Sequence, residues 1–360
     1  MRRIVTTREQ IAQHRVLANP GFQRPPHNCM HVGPQGVTMV NHFAEAGPGD
    51  DPADPSTWTY SLDLYRTAAF GGMDTLSPPI GDPLGSHGSR RHRDSEGNDW
   101  LVKPEKDYWA HAEHATNKLQ HLVGLEAPEM HMVNLMPNSS YGGGVATAQK
   151  MYPDDTAVFA DPNLRRGDPG FREQKLPHLS TLDSGDVMTL QKHHVLDWLV
   201  GNHDSHVGQW IRNPQGHLVG IDKGNVFKYQ DRDHLDPMFW PNRGREPVYN
   251  KMWRDHLSGR GRLNDPRTGE LGQFIQNVQG IPDDTITGLF RPWAEGLAMA
   301  GRLNDPTQRD AGNHGSPRLR PATLKPNDPE AALKAVVRRK YHLDKDFANL
   351  YQRLTPGSRQ

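Results

Sequence analysis

The chain has 360 residues, of which 34% are apolar, and a mean hydropathy of −0.80, so its core is small relative to its loops. Lys plus Arg and Asp plus Glu both number 42, and a net charge of zero argues against a broad nucleic-acid or membrane surface. No apolar run reaches the ~18 residues of a membrane span, and Cys29, the only cysteine, permits no intrachain disulfide, as in a reducing compartment. The opening Met1-Arg-Arg-Ile-Val-Thr-Thr lacks the apolar stretch of a signal peptide. A cytoplasmic location is therefore expected, with a secreted effector left open. Twenty histidines are scattered without ligand spacing, and oligomeric state is not legible.

Residues 1–43 are mixed and weakly periodic, Ala44–Trp58 is a Gly/Pro/Asp-rich loop, and Gly81–Gly97 is a Gly-, Ser- and Arg-rich stretch. Asp99-Trp-Leu-Val-Lys-Pro104 reads as a short strand. Over Tyr108–Val123 the residues Trp109, Ala112, Ala115, Thr116, Leu119, Leu122 and Val123 follow a period of 3.6, which predicts a helix stopped by Gly124. Strands are expected at Glu129–Leu135 and Val145–Tyr152. Asp186–Val200 reads as an amphipathic helix ending at Gly201-Asn202. Gln209–Arg212, the turn cluster Asn213-Pro-Gln-Gly216 and His217–Asp222 then predict a β-hairpin. Beyond Phe227 helix signals are short, and Pro306–Pro326 is Pro/Gly/Arg-rich, as in disorder. A last helix has Asp328 as cap, Pro329 at its first position and Glu330 next. The hexapeptide Gly-Arg-Leu-Asn-Asp-Pro occurs at 261–266 and 301–306, without a functional reading.

The densest chemical signal lies in Asp197–Phe227: Gly201-Asn-His-Asp-Ser-His206, then Gln209, then Ile221-Asp-Lys-Gly-Asn-Val-Phe227. Here the chain resembles the phosphatidylinositol-3/4-kinase-like branch of the kinase superfamily, which includes the HipA-type bacterial kinases. That branch carries Gly-Asn-x-Asp-x-His-x-x-Asn, a hairpin, and Ile-Asp-x-Gly-x-x-Phe. Gln209 stands at the usual Asn position, and Ser205 where Arg or Asp is common.

The resemblance implies an α+β, two-lobed protein-kinase-like fold with a small β-rich lobe and a mostly helical one. The resemblance is strong over about thirty residues, weaker over 85–152 and absent from 1–60 and 230–360; with composition and helix signals it gives an expected division into an N-terminal extension at 1–60, a nucleotide-binding lobe at 61–155, a catalytic lobe at 156–305, a flexible linker at 306–328 and a C-terminal helical segment at 329–360. It also implies an ATP- and Mg²⁺- (or Mn²⁺-) dependent kinase, with a protein hydroxyl as the first candidate acceptor.

Phosphoryl transfer needs a group that orients the acceptor hydroxyl, and metal ions bridging the phosphates. Asp204 suits the first role, with His206 beside it to orient it or to hold the loop. Asp222 suits the second, since Mg²⁺ prefers hard oxygens. If the hairpin folds about Pro214-Gln215, Gln209 lies opposite Gly220, and Gln209 and Asp222 become diagonal neighbours on one face. A one-residue slip would put them on opposite faces.

Upstream residues follow the order a kinase requires. Lys103 ends a strand where its ammonium can meet the phosphates. Glu113, near the packed face of the next helix, needs a partner there, and an ion pair with Lys103 supplies one. Gly85 and Gly88 fall where a phosphate-covering loop would sit. Gln149 and Met151 fall where a hinge would contact adenine. Two rival readings remain. One is a nucleotide-binding pseudokinase or scaffold, favoured by Gln209. The other is a metallophosphoesterase, because Gly201-Asn-His-Asp204 matches one of its signatures, although its upstream Asp-x-His and downstream Gly-His-x-His are missing.

Overall fold

The computed structural model describes the strands 28–33 and 36–41 and, with short interruptions, residues 76–227, 246–300 and 328–354. Gly85, most of the 1–60 extension and the 306–326 stretch lie outside the described residues. The fold is α+β and divides into two compact units: the described residues of Met1–Tyr152 with Gly280–Met299, and those of Pro153–Gln279 with Ala300–Gln360.

In the first unit, β1 (Asn28–Gly33) and β2 (Gly36–Asn41) form an antiparallel pair. A separate five-stranded sheet has the order β3-β4-β5-β7-β6, with every neighbouring pair antiparallel. Its strands are β3 (Ile80–Leu84), β4 (Ser89–Arg93), β5 (Asp99–Pro104), β6 (Met130–Leu135) and β7 (Gly144–Lys150). The Gly-, Ser- and Arg-rich stretch Gly81–Gly97 contains most of strand 80–84 and all of strand 89–93, with Gly88 in the turn between them. Ser-Arg-Arg-His-Arg has no apolar alternation, yet Ser89 and His92 are buried and the guanidinium of Arg93 pairs with Asp99. The β4–β5 turn is held by Asp94, which accepts from the Glu96 and Asn98 backbone N–H groups and from Trp100 Nε1.

Alternation sorts the sheet residues by face. Trp100, Val102, Val133, Leu135, Ala146 and Ala148 build an apolar core with Leu76. In the register, Lys103 stands opposite Thr147, and Thr147 opposite Met132. Helix α1 (Asp107–Leu122) ends as its sequence requires: Gly124 takes φ +76, and the Leu125 N–H reaches the Gln120 carbonyl. Helix α5 (Asp283–Met299) belongs to this unit and packs on α1 so closely that a Cβ on Gly296 would lie 3.1 Å from Tyr108 Cβ.

The second unit is mostly helical: α2 (Ser184–Leu199), α3 (Val248–Leu257), α4 (Gly269–Gln279) and α6 (Pro329–Leu354), with the short hairpin β8 (Trp210–Arg212) and β9 (Leu218–Gly220). Asp183 caps α2 by accepting from the Asp186 N–H, and Asp328 caps α6 by accepting from the Ala331 N–H, the cap read from the sequence. Helix α6 packs into this unit. Phe347 meets the rings of His194 and Trp198, and Tyr351 meets Trp253. The first hexapeptide copy is tied to α2 through Asn264, whose backbone and amide groups bond the Gln191 side chain. The second copy lies outside the described residues.

Candidate active site

Chemistry-bearing residues gather in one cluster in each unit. In the first, Lys103 Nζ donates to Glu113 Oε1 at 2.6 Å, and Thr147 Oγ1 donates to Glu113 Oε2 at 2.8 Å. Glu113 is 0% and Lys103 7% exposed. Helix α1 delivers the carboxylate, and two adjacent strands deliver its partners at paired positions. Thr147 was invisible to sequence reasoning because only the β5–β7 register places it beside Lys103. Gln149 lies two residues along the same strand face, 1% exposed, and its Oε1 has no hydrogen-bond partner. It sits within β7, not after it. Met151 follows the strand, and its N–H is engaged by the Asp99 carbonyl at 2.8 Å, so it is not a free donor for a purine edge. Gly88 closes the β3–β4 turn at φ +73, where open space surrounds the missing Cβ, so conformation rather than crowding calls for glycine.

In the second unit the loop between α2 and β8 carries Asp204, half-buried. Its backbone N–H donates to Asn202 Oδ1 at 3.1 Å, and its Oδ2 accepts from Asn225 Nδ2 at 2.7 Å. His206 shapes the loop. Its N–H reaches the Asp204 carbonyl at 2.7 Å, while its Nδ1 accepts from the Gly208 N–H at 3.0 Å. That acceptor role leaves Nδ1 without a proton and makes His206 a cap of the following turn. Gln209 is 2% exposed, and neither amide atom has a hydrogen-bond partner.

The hairpin departs from its expected register. Trp210, not Gln209, stands opposite Gly220, and Gln209 contributes its carbonyl to the Ile221 N–H. The loop is Pro214-Gln215-Gly216, closed by Asn213 N–H to His217 O at 3.0 Å, with Gly216 at φ +83. A three-residue loop ending in a left-handed glycine is a regular alternative to the two-residue turn, and it moves the pairing by one. Strand alternation therefore does not place Gln209 and Asp222 on one face. The ladder ends at Gly220, and Asp222 takes φ +58, which re-aims its side chain. Phe227 at φ +51 ends the same segment, with its N–H on the Val200 carbonyl. Non-glycine residues in this region are strained and cluster at functional sites.

Asp197 joins the pieces. It is 1% exposed and accepts from Lys223 Nζ at 2.9 and 3.1 Å, Tyr249 OH at 2.6 Å, Asn202 Nδ2 at 3.1 Å, and Ser205 Oγ. Burial alone would push its carboxyl up; the Lys223 ammonium and the Ser205 and Tyr249 hydrogen bonds outweigh that and hold it below the usual carboxylate range. Burial and the Asp197 charge push the Tyr249 phenol well up, so it remains a donor. The signal for Asp197 was present in the sequence as the one charge in Val195-Leu-Asp-Trp-Leu-Val200, but its partners come from distant segments. Asn225, Lys223 and Tyr249 carried no signal of their own.

No protein-family model matches the chain, and no curated protein matches it significantly. Among solved structures, a Helicobacter pylori proinflammatory kinase, CtkA, is similar at 12% identity and TM-score 0.36, over 77% of this chain and 98% of that one. A Golgi casein kinase is similar at 13% identity and TM-score 0.39, over 81% and 76%. The Golgi casein kinase with Mn/ADP bound gives 12% identity and TM-score 0.38, over 82% and 78%.

Proposed function

We propose that this chain is an ATP-dependent phosphotransferase requiring Mg²⁺ or Mn²⁺, which passes the γ-phosphoryl group to a hydroxyl. The resemblance makes a protein hydroxyl the first candidate. The observation that carries this reading is the Lys103–Glu113 pair: two charges meet at 2.6 Å inside the first unit, with Thr147 on the second carboxylate oxygen. Withdrawing two ions from water costs several kcal/mol each, so a buried pair is poor evidence of a purely stabilising role. A strand lysine oriented by a helix glutamate is the part that receives nucleotide phosphates in kinases.

The second cluster supplies the remaining roles. Asp204, held by Asn202 and Asn225, takes the proton of the acceptor hydroxyl as that oxygen bonds to the γ-phosphorus. The bond from the γ-phosphorus to the bridging oxygen breaks, and ADP leaves with its electron pair. Asp222 and Gln209 are the groups to hold the metal. The donor types suit a hard divalent cation: Asp222 offers a carboxylate, and Gln209 a buried amide oxygen that has no hydrogen-bond partner. Mg²⁺ characteristically keeps its other positions for water and phosphate oxygens. When bound, such an ion neutralises charge that develops on the phosphates. Among the described residues no three His, Cys, Asp or Glu side chains gather as a metal nest, which is what a two-metal phosphoesterase would use.

The test is incubation with γ-labelled ATP and Mg²⁺ or Mn²⁺, following label into the protein, added proteins and lipids. Label transfer is expected, and Asp204→Ala is expected to abolish it while ATP still binds. His203→Ala should retain most of the transfer. Nucleotide binding by the wild type without γ-phosphate loss would establish a pseudokinase instead. Phosphodiester hydrolysis with Mn²⁺, lost in His203→Ala, would establish the phosphoesterase.

A further inference from the structure

We propose that Asp197 is a positioning residue for phosphoryl transfer, setting the loop that carries Asp204 against the segment that carries Asp222; this rests on the functional reading above. Asp197 itself is too deeply enclosed to touch a substrate, and three of its partners, Asn202, Ser205 and Lys223, lie within two residues of Asp204 or Asp222. Asn202 directs its amide nitrogen to Asp197 Oδ1 and to Ser205 Oγ at 3.0 Å, which leaves its amide oxygen for the Asp204 N–H. Ser205, next in the loop, donates to Asp197 Oδ2 and offers its carbonyl to the Val248 N–H at 2.8 Å. Lys223, the residue after Asp222, brings its ammonium to both carboxylate oxygens, 5.8 Å from the Trp210 ring centroid. Tyr249 adds a donor from α3. One carboxylate thus fixes, through side chains, Asn202 and Ser205 on either side of Asp204, and Lys223 next to Asp222.

A buried ion pair kept only for stability would need charge compensation, and the exact reach of the carboxylate would not matter. Transfer geometry is sensitive to displacements of about 1 Å, which can cost ~10²-fold in rate. Asp197→Glu keeps the charge that Lys223 requires and moves the carboxylate outward by one methylene. Tyr249→Phe removes one donor and leaves no charge unpaired. Asp197→Asn combined with Lys223→Met removes the pair without stranding an ion.

The three variants and the wild type are compared for kcat, KM for ATP with Mg²⁺, and thermal midpoint. Asp197→Glu and the double variant are expected to lose about 10- to 100-fold in kcat, and Tyr249→Phe up to about tenfold, with KM for ATP changed less than about threefold. Wild-type kcat in both folded Asp197→Glu and folded Tyr249→Phe would overturn the positioning role alone. Equal losses of kcat and thermal midpoint across all variants would reduce Asp197 to a stabilising ion. A wild type that transfers no label would sink the functional reading, and the positioning role with it.

Discussion

At the scale of single residues, Glu113 shows how one group can serve fold and chemistry at once. Its two oxygens take one bond each from Lys103 and Thr147, and no water-facing edge remains. Removing either donor therefore has a stability cost separate from any effect on nucleotide. Lys103→Met strands the carboxylate, and a loss of about 3–5 kcal/mol is expected in denaturant unfolding. Thr147→Val leaves one oxygen short of a donor, and about 1–3 kcal/mol is expected. Lys103→Met with Glu113→Leu should recover most of the stability, because no buried charge is left uncompensated, while label transfer stays lost. Recovery of both together would show that the ammonium does nothing for the nucleotide. The need of Glu113 for a partner was legible, since a carboxylate near the packed face of a helix demands one. Thr147 was not, because a threonine in a strand is ordinary until the register brings it beside a charge.

At the scale of elements, the hairpin β8–β9 is held from below by α2. A Cβ on Gly220 would lie 2.9 Å from His193 Cε1 and 3.3 Å from Trp210 Cζ3, and His193 is fully buried with its ring edge-on to Trp210 at 5.0 Å. Gly220→Ala is thus expected to destabilise by about 1–3 kcal/mol through overpacking. His193→Ala opens space under the strand, so the double variant should be more stable than the sum of the single losses predicts, measured as a double-mutant cycle in urea. Strict additivity would show that the contact is relieved elsewhere. The helices α1, α2 and α6 were legible from period and caps, because those signals are local. Strand β4 was not, since its burial comes from the neighbours that cover it and not from apolar alternation in Ser-Arg-Arg-His-Arg.

At the scale of the whole molecule, burial of histidines sets the response to acid. His114 and His131 in the first unit are held below the ordinary histidine range by burial. In the second, His193 and His194 are lowered to about 3 by the same cause, with His194 stacked on Tyr249 at 4.3 Å and edged by Trp198, Trp253 and Phe347. A histidine whose folded pKa is depressed stays neutral in the fold and takes up a proton on unfolding. The unfolded state then binds more protons, and stability falls as pH drops below about 6.5. Each such histidine contributes up to about 1.4 kcal/mol per pH unit in that window. Asp197 contributes no slope there, because its depressed carboxyl stays ionised folded and unfolded until the carboxylate range is reached. Urea unfolding at pH 7, 6 and 5 should show the decline, and His194→Phe, which suits the aromatic surroundings, should flatten it. An unchanged slope in that variant would remove His194 from the account.

The amino-acid sequence alone determined the α+β class, the helices α1, α2 and α6 with the Gly124 stop and the Asp328 cap, the presence of a hairpin after Gly201, and the pairing of Lys103 with Glu113. Each of these follows from short-range periodicity, turn chemistry, or the cost of burying one charge. Tertiary structure decided the hairpin register, through the left-handed Gly216, and the strained backbone of Asp222. It also decided the grouping of 280–299 with the first unit. Above all it decided the convergence of Asn202, Ser205, Lys223 and Tyr249 on Asp197. Those partners lie up to 52 residues from Asp197 in the chain. Nothing local to any one of them records the others, because the carboxylate that selects them is buried only once the segments have packed.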